Sequence, residues 1–128
     1  MAATTLEVGK KLVDFCKQGK FVDAVESLYD PKIVSIEAMS SPQMPARQEG
    51  IAAIKAKNEW WAENHQVHSG QVEGPFPHGE RFAVLFKFDV TAKTGVMAGK
   101  RMKMDEVGLY TVKNGKITQE EFFYDMGS

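Results

Sequence analysis

One cysteine, no long apolar run and no excess of charge of either sign narrow what this chain can be. Cys16 has no partner for an internal disulfide, and its place on a helical apolar stripe suits a small buried hydrophobe. No apolar stretch approaches the roughly 20 residues of a membrane-spanning helix. The opening MAATTLEVGKKL lacks the apolar core and cleavage site of a secretory leader, so a cytoplasmic protein is expected. Lys and Arg total 16 against 17 Asp and Glu, and no net field draws nucleic acid or an anionic membrane; neither is expected as a partner. At 128 residues the chain is expected to form one domain, residues 1–128, around one core.

What is present is a change of period. Leu6, Leu12, Val13 and Cys16 recur at helical spacing until Gly19. Phe21, Ala24, Val25 and Leu28 repeat the pattern until Asp30 and Pro31 end it, so the chain opens on two short amphipathic helices. KIVSIEAM, residues 32–39, is β-branched and alternates Ile33, Ser35 and Glu37 against Val34, Ile36 and Ala38, which predicts a strand ending near Met39. SSPQMPARQEG, residues 40–50, reads as a loop. IAAIKAKNEWWAENH sets Ile51, Ile54, Asn58 and Trp61 on one face of a third helix, with Ala53, Ala56 and Trp60 beside it.

From about residue 67 the period becomes two. A weak strand in QVHSGQVE is followed by a turn-rich loop, GPFPHGE, and by a strong strand, RFAVLFKFDV. After the turn region TAKTGVMAGK, the strand RMKMDEVGLYTV leads to Asn114-Gly115, a pair that tolerates the positive φ of a type I′ hairpin turn, and KITQEEFFYD forms the last strand. Helices first and antiparallel strands afterwards predict an α+β fold with three N-terminal helices packed in the concave face of a curved, mostly antiparallel sheet. Val107 and Leu109 oppose Met104 and Tyr110, so both faces of the last strands are apolar. The outer one is expected to meet a second copy in a homodimer.

Residues 104–124, MDEVGLYTVKNGKITQEEFFY, carry carboxylates where strands usually carry Val or Thr. Glu106 shares a face with Met102, Met104, Tyr110 and Val112, so either that face is wet or Glu106 points into a pocket. Asp105 and Glu121 fall on the opposite face, for solvent or an interface. His65 and His68 are three apart, but a helix end falls between them and no carboxylate sits at ligand spacing, so no metal is expected. His65 suits the C-terminus of the third helix, and one of the pair can serve the mouth of a cavity as a proton shuttle. His78 falls in a turn. Trp61 reads either as core or as a platform for a flat ligand, and Trp60 as cover for the sheet edge.

The element order, with SLYDPKIVSIEA and the ending EVGLYTVKNGKITQEEFFYD, resembles the nuclear transport factor two superfold over nearly the whole chain. Within it the likeness is to the SnoaL-like and ketosteroid-isomerase-like branch, which implies a cystatin-like, cone-shaped α+β barrel. These motifs specify a fold that hosts isomerases, cyclases, hydrolases, dehydratases and non-enzymatic binders. The resemblance puts the branch's catalytic acid on Glu37, its oxyanion acid on Gly108 and its oxyanion tyrosine on Val13, so the base is kept and both donors are absent. It also implies that Glu106, Gly108, Tyr110 and Val112 face one hollow with Thr118, Glu120, Phe122 and Tyr124, and that Met102 and Met104 line it. Tyr29, just before the strand of Glu37, is placed to supply the hydroxyl that Val13 lacks.

A carboxyl group in an apolar pocket beside a like charge has its pKa raised, by up to roughly 3–5 units when fully buried. Two such acids separate into a proton acceptor and a proton donor. On this reading Glu37 removes a proton beside a carbonyl while Glu106, kept neutral, donates to the developing oxyanion, without a cofactor. Around the substrate stand Tyr29, Trp61, His65, Met102, Met104, Tyr110, Glu120, Phe122 and Tyr124. The competing reading pairs Glu106 with Arg47, Arg81 or Arg101 in a polar core. The expectation is an isomerase or polyketide-cyclase-like enzyme acting on a small hydrophobic carbonyl compound. A binding module that sequesters an apolar metabolite and a structural dimer with a closed core are the alternatives.

Overall fold

Local chemistry fixes where the first helix starts. The Thr4 hydroxyl accepts the Glu7 N–H at 3.1 Å and the Glu7 carboxylate accepts the Thr4 N–H at 3.1 Å, a reciprocal cap on the helix N-terminus. The computed structural model describes residues 3–40, 45–95 and 97–124, and in it this helix, α1, spans Thr5–Lys17. Val8, Leu12, Val13 and Cys16 form its buried row. Leu6, expected on that row, is 41% exposed, because six residues before Leu12 is well round the helix from it. Gly19, at φ +72°, turns the chain into α2, Phe21–Leu28.

The strand β1 begins directly at Tyr29 and ends at Ile36, earlier at both ends than the expected 32–39. Pro31 does not keep it from starting. The parallel pairing of β1 with the last strand shifts register between Tyr29 and Val34, which accommodates a residue with no N–H to donate. The expected loop 40–50 holds a short strand, β2, Arg47–Glu49, antiparallel to β1; residues 41–44 lie outside the described residues. Three polar residues on a sheet edge carry no apolar alternation for a reader to detect. α3 then runs Ile51–Asn64, with Ile54 fully buried.

Four antiparallel strands complete the chain: β3 His65–His78, β4 Arg81–Ala92, β5 Arg101–Lys113 and β6 Lys116–Tyr124. β3 is longer than expected and runs through GPFPH, whose turn residues predict a loop. It is the terminal strand of the sheet and slips register between Glu73 and Phe76, so its prolines sit where prolines are tolerated. The turn at Asn114 (φ +52°) and Gly115 (φ +77°) has the expected positive φ at both positions.

The sheet order is β2-β1-β6-β5-β4-β3. The three helices cover one face of this curved, mostly antiparallel sheet, and the core between them includes Leu12, Val25, Ile33, Ile54, Phe82, Val84 and Ile117. α1 approaches β3 closely at Gly9, where an added Cβ would lie 2.8 Å from Pro75 Cβ. No helix among the described residues is long and apolar enough to cross a membrane.

Candidate functional site

The helices leave part of the concave face unfilled, as a cavity of about 410 Å³, within the range of small-molecule sites. Its walls are apolar, with Leu12 and Cys16 from α1, Val25 from α2, Trp61 from α3, and Phe86 and Phe88 from β4. Polar side chains join them: Tyr29, Glu37, Lys57, Asn58, Glu106, Tyr110 and Glu120.

Strand alternation delivers the acids. Glu106, Gly108 and Tyr110 follow one another on the concave face of β5; β6 sets Phe122 opposite Gly108 and Glu120 opposite Tyr110. Glu37 is the first residue past β1, in alternation with buried Ile33 and Ser35, and its N–H donates to the Ala46 carbonyl at 2.8 Å. Its Oε1 meets a cation, while Oε2 is buried with no hydrogen-bond partner among the described residues.

That cation is Lys57, which sequence reasoning passed over. Lys57 is 7% exposed, on the row of α3 that carries Ile54, Asn58 and Trp61. Its Nζ donates to Ser35 Oγ at 2.5 Å and lies 3.7 Å from Glu37 Oε1, 3.9 Å from Glu120 Oε1 and 5.2 Å from the Phe122 ring centre. Glu120 is 3% exposed and accepts a hydrogen bond from the Tyr29 hydroxyl. Tyr29, Ser35, Lys57, Glu37 and Glu120 thus form one connected network, as buried charge requires. The signal was a lysine three residues after Ile54 and four before Trp61, a charge on a row otherwise read as core.

Burial raises every carboxyl group here. Glu106 is pushed up to about 7, first by loss of water and then by the Glu37 charge, with Lys57 pulling the other way. Glu37 is also raised by burial, but the facing Lys57 ammonium offsets part of the rise and favours its ionised form. Glu120 is raised by burial against Lys57, Tyr29 and Ser35. The Cys16 thiol is pushed up to about 12 by burial and the Glu120 charge, which keeps it unreactive.

The cavity wall contains Glu37, Glu106, Tyr29, Trp61, Tyr110, Glu120 and Phe122. Met102, Met104, His65 and Tyr124, expected to border the substrate, are not part of it. Alternation gave Met102 and Met104 the correct face of β5, but along that strand the wall runs no further towards its start than Glu106. His65 stands behind the wall, its ring stacked on Trp61 at 4.5 Å and its Nδ1 2.8 Å from the Trp61 carbonyl at the end of α3. Tyr124 is paired in register with Glu106, and burial with the Glu37 and Glu106 charges pushes it up to about 12. Tyr29 does not supply a free hydroxyl, since its proton is engaged by Glu120. No arginine pairs with Glu106: Arg47 is on Glu49, Arg101 binds Asp89 through two bonds of 2.9 Å, and Arg81 is exposed.

A lysine-tuned pair of acids in an apolar chamber can accept a proton at one carboxyl and donate a hydrogen bond from the other. The comparisons agree with the architecture. Residues 3–124 match the model of the SnoaL-like domain. A solved protein from Mesorhizobium loti, provisionally named a SnoaL-like polyketide cyclase and also carbohydrate phosphatase, is 49% identical; the match covers 95% of this chain and 100% of that one at a TM-score of 0.87. One from Jannaschia sp., provisionally named a SnoaL-like polyketide cyclase, is 21% identical over 95% of this chain and 85% of its own, with a TM-score of 0.74. One from Bacillus subtilis, provisionally named an isomerase, is 15% identical over 96% of this chain and 90% of its own, again at 0.74. The last two share the fold alone. No curated protein sequence matches the chain. On the domain match and the 49% identity, the chain belongs to the SnoaL-like family.

Proposed function

We propose that the cavity catalyses cofactor-independent proton transfer on a small hydrophobic carbonyl compound, as an isomerase or cyclase-like enzyme. Glu37 is the base. Its carboxylate takes a proton from the carbon next to the carbonyl, and the C–H electron pair moves into the enolate. Glu106, neutral below about pH 7, donates a hydrogen bond to the enolate oxygen. Protonated Glu37 then returns the proton to the same or a conjugated carbon. Phe86, Phe88 and Trp61 hold the apolar body of the substrate.

The observation that carries this reading is the buried Oε2 of Glu37, without a hydrogen-bond partner among the described residues, in the wall that also holds Glu106. A satisfied polar core would leave no such acceptor. The relative at 49% identity, provisionally named a SnoaL-like polyketide cyclase, supports the reaction class. The test is deuterium exchange at the α-carbon of a panel of cyclic ketones and 1,3-dicarbonyl compounds, followed by NMR. The wild type accelerates exchange, Glu37→Gln slows it about 100-fold or more, and the rate falls as pH rises through about 7 and Glu106 loses its proton. Equal exchange by the wild type and Glu37→Gln on every accepted compound would sink the enzyme reading and leave a binding module.

The enzyme acts as a homodimer through the outer face of the sheet. Support comes from the row Leu85, Val107, Phe123, which are register partners across β4, β5 and β6, with Phe123 48% exposed.

A further inference from the structure

The charges in the cavity wall do not balance. Glu37, Glu106 and Glu120 face one cation, Lys57, and no arginine or histidine joins them among the described residues. Lys57 is already engaged: its Nζ donates to Ser35 and lies 3.7 Å from Glu37 and 3.9 Å from Glu120, while Glu106 forms no ion pair among the described residues. Loss of water pushes Glu106 up to about 7, because a buried carboxyl group without a cation of its own keeps its proton. A second acceptor stands beside it. Tyr110 is 2% exposed and lines the cavity, and its hydroxyl has no hydrogen-bond partner among the described residues. A Cβ built on Gly108 would lie 3.0 Å from that oxygen, so the hydroxyl sits over Gly108, the next residue after Glu106 on this face of β5. Asn58, in the same wall, adds an amide group that can accept or donate. No three His, Cys, Asp or Glu side chains among the described residues are grouped to hold a metal ion. The remaining wall is apolar, and Phe86, Phe88 and Trp61 lead from the acids to a mouth at Val67, which is 47% exposed. Such a chamber suits a cation that carries its own apolar body.

We infer that the cavity binds a hydrophobic primary amine, its ammonium held by the Glu106 carboxylate and the Tyr110 oxygen and its apolar body laid along Phe86, Phe88 and Trp61. The inference goes beyond the proton-transfer reading and does not need it, since Glu37 takes no part as a base. A primary ammonium has several N–H groups to donate, and the aromatic walls attract it as well. Binding ionises Glu106, whose proton leaves for solvent, so affinity rises with pH. Below about 7 it climbs by up to about tenfold per pH unit, and above about 7 the free protein has no proton left to expel and the curve flattens. Facing Glu106 are Glu37 from just past β1, Lys57 from α3, Glu120 and Tyr124 from β6 and Tyr110 from β5, with Cys16 of α1 and Tyr29 of β1 behind them. Glu37 and Glu120, also raised by burial, tilt the curve the same way; the three phenols and the thiol are pushed up and stay neutral over this range.

The probes are phenylbutylamine and its neutral and anionic counterparts, phenylbutanol and phenylbutyrate, titrated into the whole chain and followed by the NMR shifts of the protein amides. In mildly alkaline buffer the amine binds about tenfold or more tighter than the alcohol, and the acid binds most weakly. Glu106→Gln keeps the shape of the side chain and lowers amine affinity about tenfold while alcohol affinity holds. Tyr110→Phe keeps the ring and its stack on Phe82 at 4.9 Å, so the fold is retained, and lowers amine affinity several-fold. An amine that binds no tighter than the alcohol, an affinity that is flat or falls as pH rises, or a Glu106→Gln protein that binds the amine as the wild type does overturns the inference. So does a wild type that binds none of the three. The ketone exchange assay decides the other reading separately: a protein that prefers the amine but exchanges no ketone loses the proton-transfer proposal and keeps this one, and a protein that exchanges ketones without preferring the amine does the reverse.

Discussion

Replacing Glu106 with glutamine isolates the cost of burying its carboxylate. Burial and the nearby Glu37 charge lift this group from its ordinary value of 4.5 to about 7, and Lys57 offsets only part of that. The folded protein therefore holds the proton to higher pH than the unfolded chain does. Below about 4.5 both states are protonated and the group contributes nothing; between 4.5 and about 7 each rise in pH costs stability, and above about 7 the whole penalty is present. At roughly 1.4 kcal/mol per pH unit the penalty is about 3 kcal/mol. Glutamine has nearly the same shape and cannot ionise. Urea unfolding at a series of pH values and fixed protein concentration should therefore show Glu106→Gln gaining about 3 kcal/mol on the wild type between acid and mildly alkaline pH. Glu37 and Glu120 are raised as well and add slope of the same sign to both proteins, so the difference between the two curves is the quantity to read. A constant difference across pH would refute the burial argument. A variant that loses ground as pH rises would show instead that Lys57 stabilises Glu106 as an ion pair.

Lys57→Met leaves Glu37 and Glu120 buried without their cation and should cost about 3–5 kcal/mol near neutrality, with the loss shrinking in acid; pH-resolved denaturation checks both. Gly9→Val drives a side chain into Pro75 and Phe82 where α1 meets β3, and should lower stability by about 1–3 kcal/mol in thermal melts without changing the cavity chemistry. Phe123→Glu puts a charge in the middle of the apolar outer row, and sedimentation velocity should shift from dimer to monomer with the circular dichroism of the fold unchanged.

How far the site could be read beforehand depended on which physical rule governed each residue. Alternation along a strand is strict, so the concave face of β5 and the company of Glu106, Tyr110 and Glu120 followed from spacing of two. The length of the cavity along that face depends on where the helices stop, and Met102 and Met104 were drawn into it by face alone. β3 was cut short because prolines usually break strands, a rule that relaxes at a sheet edge, and β2 escaped because three polar edge residues have no periodic signature.

Lys57 was hidden for a deeper reason. Polar residues on helices are read as solvent-facing, because an isolated buried ammonium is too costly to keep. The cost falls only when several carboxylates from distant parts of the chain converge on it, as Glu37 does from just past β1 and Glu120 from β6. A cation of this kind shows in the sequence as its mirror image: acids on strand faces that should be apolar. Glu106 and Glu120 were that sign, and a search for the compensating charge along the buried row of α3, instead of among the arginines, leads to Lys57. The same logic sets Glu37 and Glu106 apart. The ammonium 3.7 Å from Glu37 favours that carboxylate's charge against the effect of burial, and the Glu37 charge in turn helps to hold the proton on Glu106. In the proposed reaction this asymmetry is what makes Glu37 the base and Glu106 the donor, two chemically identical side chains told apart by Lys57.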